Sequence, residues 1–333
     1  MENVIRGSKL MKRLFINRHM QPIKDHAGKT ILPNPGDLWS SPKHYWKEFD
    51  QDEHIDIINI KRYQKQLGTF NQIIVGGGGL IGNANFDPLL EKLIPLKDRV
   101  WFWGVGINQR LTGSKEFTRV ELKEIRKTTF PDYRLLKKFN KDQVFVRDQV
   151  PDDPLSELTG FNFIPCCSCM HRVFDPLLTG TKFSIRKKFL FIAHNKMEQM
   201  VSKKSEFFNL GDPAKSTKTY IIGPSCTIEE IVSQIMAHEI IITQSYHGAL
   251  WGHLCGKQVC VYQPWSNKFL YIRPKTDMIT IDEVNIQLVP KSIQKRHLEH
   301  LMYDFTALPV KRNTLSDFRK LTQRMFEKIT LRL

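Results

Sequence analysis

The sequence predicts an α/β protein of two Rossmann-like domains, 1–180 and 181–333, the second ending in an amphipathic C-terminal helix. Three observations carry this. Short continuous apolar runs end at glycines or turns, as strands buried on both faces of a parallel sheet do. Helical stretches lie between those runs, so strand and helix alternate. The same alternation restarts in the second half, and 333 residues suit two domains at roughly 150 residues each.

Residues 1–54 resist assignment, because Pro22, Pro33, Pro35, Gly36 and Pro42 interrupt any helix and Trp39, Tyr45 and Trp46 lie beside that loop. Residues 55–60, 72–75 before Gly76, and 100–103 before Gly104 read as buried strands. Between and after them, 86–96, with Pro88 near its first turn, and 115–127 read as helices. Strands at 144–146 and 161–164 then bring the first domain to a close between 165 and 182. The second half offers strands at 188–193, 219–222, 240–242 and 258–262, with helices over 227–237 and from about 248. In 314–333, Leu315, Phe318, Leu321, Met325, Ile329 and Leu333 recur at spacings of three and four, which predicts an amphipathic helix docked on the body.

Composition narrows the partners. Fifty Lys and Arg against 34 Asp and Glu give a formal charge of +16, which favours anionic partners such as nucleic acid, acidic lipid or phosphorylated metabolites. No nucleic-acid module is recognisable, so nucleic acid is not the expected partner. The basic excess beyond residue 291 reads first as a solvated face on a docked helix, with peripheral membrane association as the alternative. The six cysteines do not form the even framework of a secreted mini-domain, and no signal-like or membrane-spanning apolar run occurs. A cytoplasmic protein is expected.

The glycine run 76–79, with Gly82 and Asn83, contains G-x-G-x-x-G at Gly77, Gly79 and Gly82 after a strand, which would let backbone amides approach an anion at a helix N-terminus. No acidic residue closes the next strand, which instead runs into Gly104, Gly106 and Asn108, so a nicotinamide dinucleotide fits poorly. A phosphate or sugar cradle and a structural turn stay open for this run. Arg147 and Asp148 end a strand where open α/β sheets bind ligands, and an arginine fork suits phosphate or carboxylate; a local ion pair is the other reading. Cys166, Cys167, Ser168, Cys169 and His171 lack a second ligand pair, so they read as a tight turn beside the cleft before a metal site or a nucleophile. Asp152, Asp153 and the stretch 50–53 read as exposed acidic turns. His194 and His253 read as packed or surface residues. Ser245, Tyr246, His247 and Gly248 follow a strand and open a helix, placing His247 to act on an anion.

Asn34-x-Gly36-Asp37, the glycine run with Gly82-Asn83, Gly104-Val105-Gly106, Val146-Arg147-Asp148 and Ser245-Tyr246-His247-Gly248 together resemble, in that order, the polysaccharide pyruvyl transferase family, over about residues 34–265. The resemblance implies a GT-B-like fold with the active cleft between two Rossmann-like halves; no cofactor and no metal ligand is assigned, and metal dependence stays open. It implies transfer of a pyruvyl group from phosphoenolpyruvate to sugar hydroxyls of a glycan or lipid-linked saccharide, forming a pyruvate ketal. His247 would then be the general acid and Arg147 the donor's anion clamp. Gly77, Gly78, Gly79, Asn83, Gly106, Asn108, Ser168, Ser245, Tyr246 and Gly248 would line the substrate. The family's pattern has an arginine where Ser245 stands here, so Arg172, Lys257, Lys268 or Arg273 would have to replace it, or the donor differs. The alternative is a GT-B glycosyltransferase using an activated sugar donor.

Overall fold

The computed structural model describes residues 11–18, 23–24, 30–31, 35–83, 85–108, 134–147, 161–181, 187–194, 218–222, 226–243, 245–262, 266–269, 277–279 and 314–331. The first half holds a parallel sheet of seven described strands. These are β1 (Arg13–Asn17), β4 (Glu53–Asp56), β5 (Gln72–Gly76), β6 (Gly79–Ile81), β7 (Val100–Ile107), β8 (Val144–Val146) and β9 (Asn162–Phe163). Their order is β4-β1-β5-β7-β8-β9, with β6 paired to the far part of β7. An antiparallel pair, β2 (Ile23–Lys24) and β3 (Thr30–Ile31), stands outside it. The sheet carries short helices α1 (Pro35–Leu38), α2 (Ile60–Tyr63) and α3 (Asp87–Leu90).

The second half repeats the topology. Strands β10 (Lys187–His194), β11 (Lys218–Ile222), β12 (His238–Thr243), β13 (Gln258–Tyr262) and β14 (Asp277–Ile279) lie parallel in the order β11-β10-β12-β13-β14. Helix α4 (Asp175–Leu178) precedes them, and α5 (Ile228–Met236) and α6 (Tyr246–Leu254) flank β12. Helix α5 starts where Thr227 and Glu230 form a reciprocal capping box, each side chain bonding the other's backbone amide. In both halves the chain lays one strand on one side of the first strand and then turns to the other side. The switch points therefore fall between β1 and β5, and between β10 and β12. The two-Rossmann architecture expected from the alternation is present, and no described helix is long and apolar enough to cross a membrane.

Several expected boundaries are corrected. The run 55–60 is not one strand: β4 ends at Asp56, whose carboxylate accepts the Ile58 amide at 3.0 Å and turns the chain into a 3-10 segment and α2. The helix expected over 86–96 is only α3, followed by 3-10 turns to Arg99, because Pro95 removes a helical donor. Strand β7 does not stop at Gly104. That glycine takes φ +65° and the register shifts there, so the strand bulges and runs on to Ile107. Strand β9 keeps two of the four residues expected. Leu14-Phe15-Ile16, unassigned in the sequence, is the centre of β1 and wholly buried. Asp52, expected in an exposed turn, is instead half-enclosed against Arg13, Nε to Oδ2 at 2.7 Å. The helix expected over 115–127 and the pair Asp152-Asp153 lie outside the described residues.

Helix α7 (Thr314–Leu331) returns to the first half. Its Met325 and Ile329 join Phe15, Trp46, Phe49, Ile74, Trp101 and Trp103 in one buried cluster, and Phe326 stacks on Trp46 at 4.9 Å between ring centroids. Arg319 donates to the carbonyls of Cys169 and His171 and pairs with Asp175 at 2.8 Å. Lys328 lies over the Phe145 ring. Lys320 and Arg324 stay exposed.

Candidate functional site

Open α/β sheets present ligands at the carboxyl ends of strands beside a topological switch. In the first half that place is built by the end of β1 and the glycine run after β5. Asn17 donates to the Asp37 carbonyl at 3.3 Å, and Ser40 Oγ donates to the same carbonyl at 2.6 Å. The Asn17 side-chain Oδ1 accepts from His54 Nε2 at 2.7 Å. Gly77 and Gly78 have φ of +43° and +76°, a turn that a side chain would strain, and a Cβ on Gly77 would fall on Ser40. The run does not open a helix, contrary to the sequence expectation. It enters β6, which pairs with β7 through Gly79 and Gly106, while the Gly106 amide donates to the Gly78 carbonyl at 2.8 Å.

The second switch point holds His247. Strand β12 ends at Thr243, whose Oγ1 accepts the Ser245 amide at 2.9 Å, and Ser245 caps α6 by accepting the Gly248 amide. A Cβ on Gly248 would meet Thr243 Oγ1 at 2.5 Å, so the helix start sits directly on the strand end. His247, in the first turn, is buried, and its Nε2 lies 3.5 Å from Cys166 Sγ. Ser168 Oγ donates to Cys166 Sγ at 3.3 Å, and Trp251 Nε1 donates to Ser168 Oγ at 3.1 Å. On its other side the ring lies against Gly36 of α1, so close that a Cβ there would occupy the position of Nδ1 and Cγ. The imidazole is thus enclosed by both halves.

One cation belongs to this place, and a second lies buried beside the contact that joins the halves. Arg147, at the end of β8, is almost fully buried, with its guanidinium 3.8 Å from the Tyr246 ring centroid. Lys268 is also buried and follows Ser266, whose hydroxyl donates to Asn108 Oδ1 at 3.2 Å across the two halves. Of the four cations that could stand in for the arginine missing at Ser245, Lys268 is buried next to Ser266, with its ammonium 5.1 Å from the Phe269 ring centroid. Lys257 donates to the Met236 carbonyl at 2.8 Å beside α5, and Arg172 is exposed. Arg273, Asn34 and Asp148 lie outside the described residues.

The structure therefore sets Ser245, Tyr246 and Gly248 beside His247 at one helix start, Arg147 over the Tyr246 ring, Ser168 behind Cys166, and Gly77, Gly78, Gly79, Gly106 and Asn108 along one glycine-lined edge. Segment 36–40 joins the two groups, touching His247 through Gly36 and Gly77 through Ser40. Asn83 is not gathered in; its Oδ1 accepts the Asn85 amide and its carbonyl the Phe86 amide in a local turn. Cys166, read in the sequence as part of a tight turn, is the group that meets His247. Its neighbours Cys167 and Cys169 are held as neutral thiols by burial, Cys169 pushed up to about 12. Ser40, Asn17, Trp251 and Ser266 carried no sequence signal, since each acts through a partner distant in the chain.

No known family profile matches the chain, and no curated protein does. Among solved structures, the chain is similar to the UDP-GlcNAc 2-epimerase of Methanocaldococcus jannaschii, with 13% identity, TM-score 0.43, and 96% of this chain and 99% of that chain covered. It is also similar to the ADP-heptose LPS heptosyltransferase II of E. coli, with 11% identity, TM-score 0.34, and coverage of 89% and 100%. A glycosyl transferase family 9 structure from Veillonella parvula follows at 10% identity and TM-score 0.27, with coverage of 95% and 97%. At these scores the likeness carries no argument about chemistry, and the fold rests on the two parallel sheets themselves.

Proposed function

We propose that this protein is a transferase that takes a group from an anionic activated donor and places it on a saccharide hydroxyl. The observation that carries this is the meeting of His247 with Arg147, through Tyr246, at the switch point of the second sheet. A buried guanidinium gives a phosphate or carboxylate a strong charge-assisted partner, the α6 N-terminus adds its positive dipole end, and the imidazole can hold or pass one proton. In this reading Arg147 and Lys268 answer the donor's charge, and the turn at 77–79 with Asn108 lines the acceptor.

For the donor, phosphoenolpyruvate is supported by the five motifs that run in the pyruvyl transferase order, and by Arg147 of one motif lying over the Tyr246 ring of another. His247 would protonate the methylene carbon, one sugar oxygen would bond to the carbon bearing phosphate, and a second would replace the phosphate, which departs with its bridging oxygen. One hydroxyl proton returns to His247 and the other leaves with phosphate. A nucleotide-sugar donor is the second reading. It is favoured by Ser245, whose hydroxyl is committed to capping α6 where the family pattern has a cation.

Thermal unfolding in a titration of phosphoenolpyruvate against a panel of nucleotide sugars separates the two. Stabilisation by phosphoenolpyruvate that Arg147→Ala abolishes supports pyruvyl transfer. Stabilisation by a nucleotide sugar alone moves the protein to glycosyl transfer. No response to any anionic donor overturns both.

A further inference from the structure

His247 is held on one side by a chain of groups whose direction is fixed by chemistry. An indole N–H can only donate, so at 3.1 Å Trp251 makes Ser168 Oγ an acceptor. The Ser168 hydroxyl proton is then directed to Cys166 Sγ, 3.3 Å away. Cys166 accepts there, and its own proton has the imidazole Nε2 before it at 3.5 Å. All four groups are buried, so water does not compete for these protons. Cys166 reaches His247 from a turn 81 positions earlier in the chain, just after β9. Its backbone is fixed as well, since its carbonyl accepts the Cys169 amide at 3.1 Å.

We infer that Cys166 is a positioning residue for His247: the Trp251–Ser168–Cys166 chain delivers the thiol proton to Nε2 and so holds the neutral ring as the tautomer protonated on Nδ1. Which nitrogen of a histidine carries the proton is set by the bond the other one makes. Cys166 is fully buried in the apolar cluster, with its sulfur within hydrogen-bond distance of the ring and of Ser168, so it acts through His247 and not on a substrate. The importance of the ring rests on the proposed function, but its tautomer does not.

The test uses the full-length protein without any donor, labelled with nitrogen-15 in histidine, and reads the two imidazole shifts of His247 in neutral buffer, assigned by their loss in His247→Gln. The wild type should show a protonated Nδ1 and a bare Nε2. Cys166→Ala should lose that pattern, and Cys166→Ser, which keeps a donor, should restore it. Ser168→Ala provides a second variant and should also shift Nε2. A wild-type ring protonated on Nε2, or a Cys166→Ala ring with unchanged shifts, would overturn the inference. Failure of every donor in the thermal titration would instead remove the transferase reading and leave these shifts as they are.

Discussion

Gly36 is the residue on which the site is most sensitive to one added carbon. A methyl group there would enter the space of the His247 ring, so Gly36→Ala should displace the imidazole and cost about 1–3 kcal/mol of stability. Urea unfolding of the variant, together with donor-dependent turnover, checks this; a stable variant with full turnover would contradict it. Lys268→Ala should weaken binding of the anionic donor by roughly 10- to 150-fold, as expected when one charge-assisted hydrogen bond worth about 1.5–3 kcal/mol is lost, while Lys257→Ala should leave donor affinity unchanged. Calorimetric titration of both variants reads the difference.

Two buried histidines away from the chemistry set a pH limit on stability. Burial lowers His253 to about 4, and burial with the neighbouring His44 and Lys43 lowers His54 to about 2. The folded state thus binds fewer protons than the unfolded chain once the pH drops below about 6.5, the ordinary histidine value. Stability is complete above that pH and falls below it by about 1.4 kcal/mol per pH unit for each group, down to about 4 for His253 and about 2 for His54. Both ring nitrogens of His253 are buried without a hydrogen-bond partner among the described residues. His253→Leu should therefore gain about 1 kcal/mol at pH 7 and flatten the acid slope, measured by denaturant unfolding at pH 5 and 7.5. His247 and Arg147 were legible in the sequence because each follows an apolar run that could only be a strand, and strand ends are where ligands bind. Cys166 was not legible as a partner, since its contact is made 81 positions away and depends on how the halves meet.

At the level of elements, local chemistry explains what was readable. The helix expected over 227–237 is present and starts at the Thr227–Glu230 capping box; Thr227→Ala should cost about 1 kcal/mol and leave the site intact, as thermal unfolding and donor binding would show. Strands β10, β12 and β13 were readable because parallel strands covered on both faces are apolar without interruption. Strand β1 was not, though it is central: three apolar residues between Arg13 and Asn17 look like a fragment of a loop, and only pairing with β4 and β5 on either side makes them a strand. Missing β1 hid Asn17, and with it the support beneath Asp37 and His54. The full length of β7 was hidden for a different reason, since glycine ordinarily weakens a strand and here Gly104 supplies a bulge that carries Gly106 and Asn108 to the cleft edge.

Across the whole molecule, the amphipathic pattern of α7 announced a docked helix but not its address. Its apolar stripe could have served either half, and tertiary packing divided it, Leu315 and Phe318 going to the cluster of the second half and Met325, Phe326 and Ile329 to the aromatic cluster of the first. Ile329→Ala should destabilise the first half by about 2–5 kcal/mol, and Phe326→Ala by a similar amount, because each leaves a space beside Trp46 and Phe49 that rigid rings cannot fill. Tryptophan fluorescence during denaturation reads this directly, as Trp46, Trp101 and Trp103 all lie in the cluster.

That docking also sets an order of events during synthesis. Trp46, Phe49 and Trp103 leave the ribosome long before α7 does, and at about 5–20 residues per second the helix follows β9 by on the order of ten seconds. Through that interval the first sheet exists with one aromatic flank uncovered, open to chaperones or to the same flank of another nascent chain. The second domain must emerge before the first can be finished, so the newborn protein matures from its far end inward.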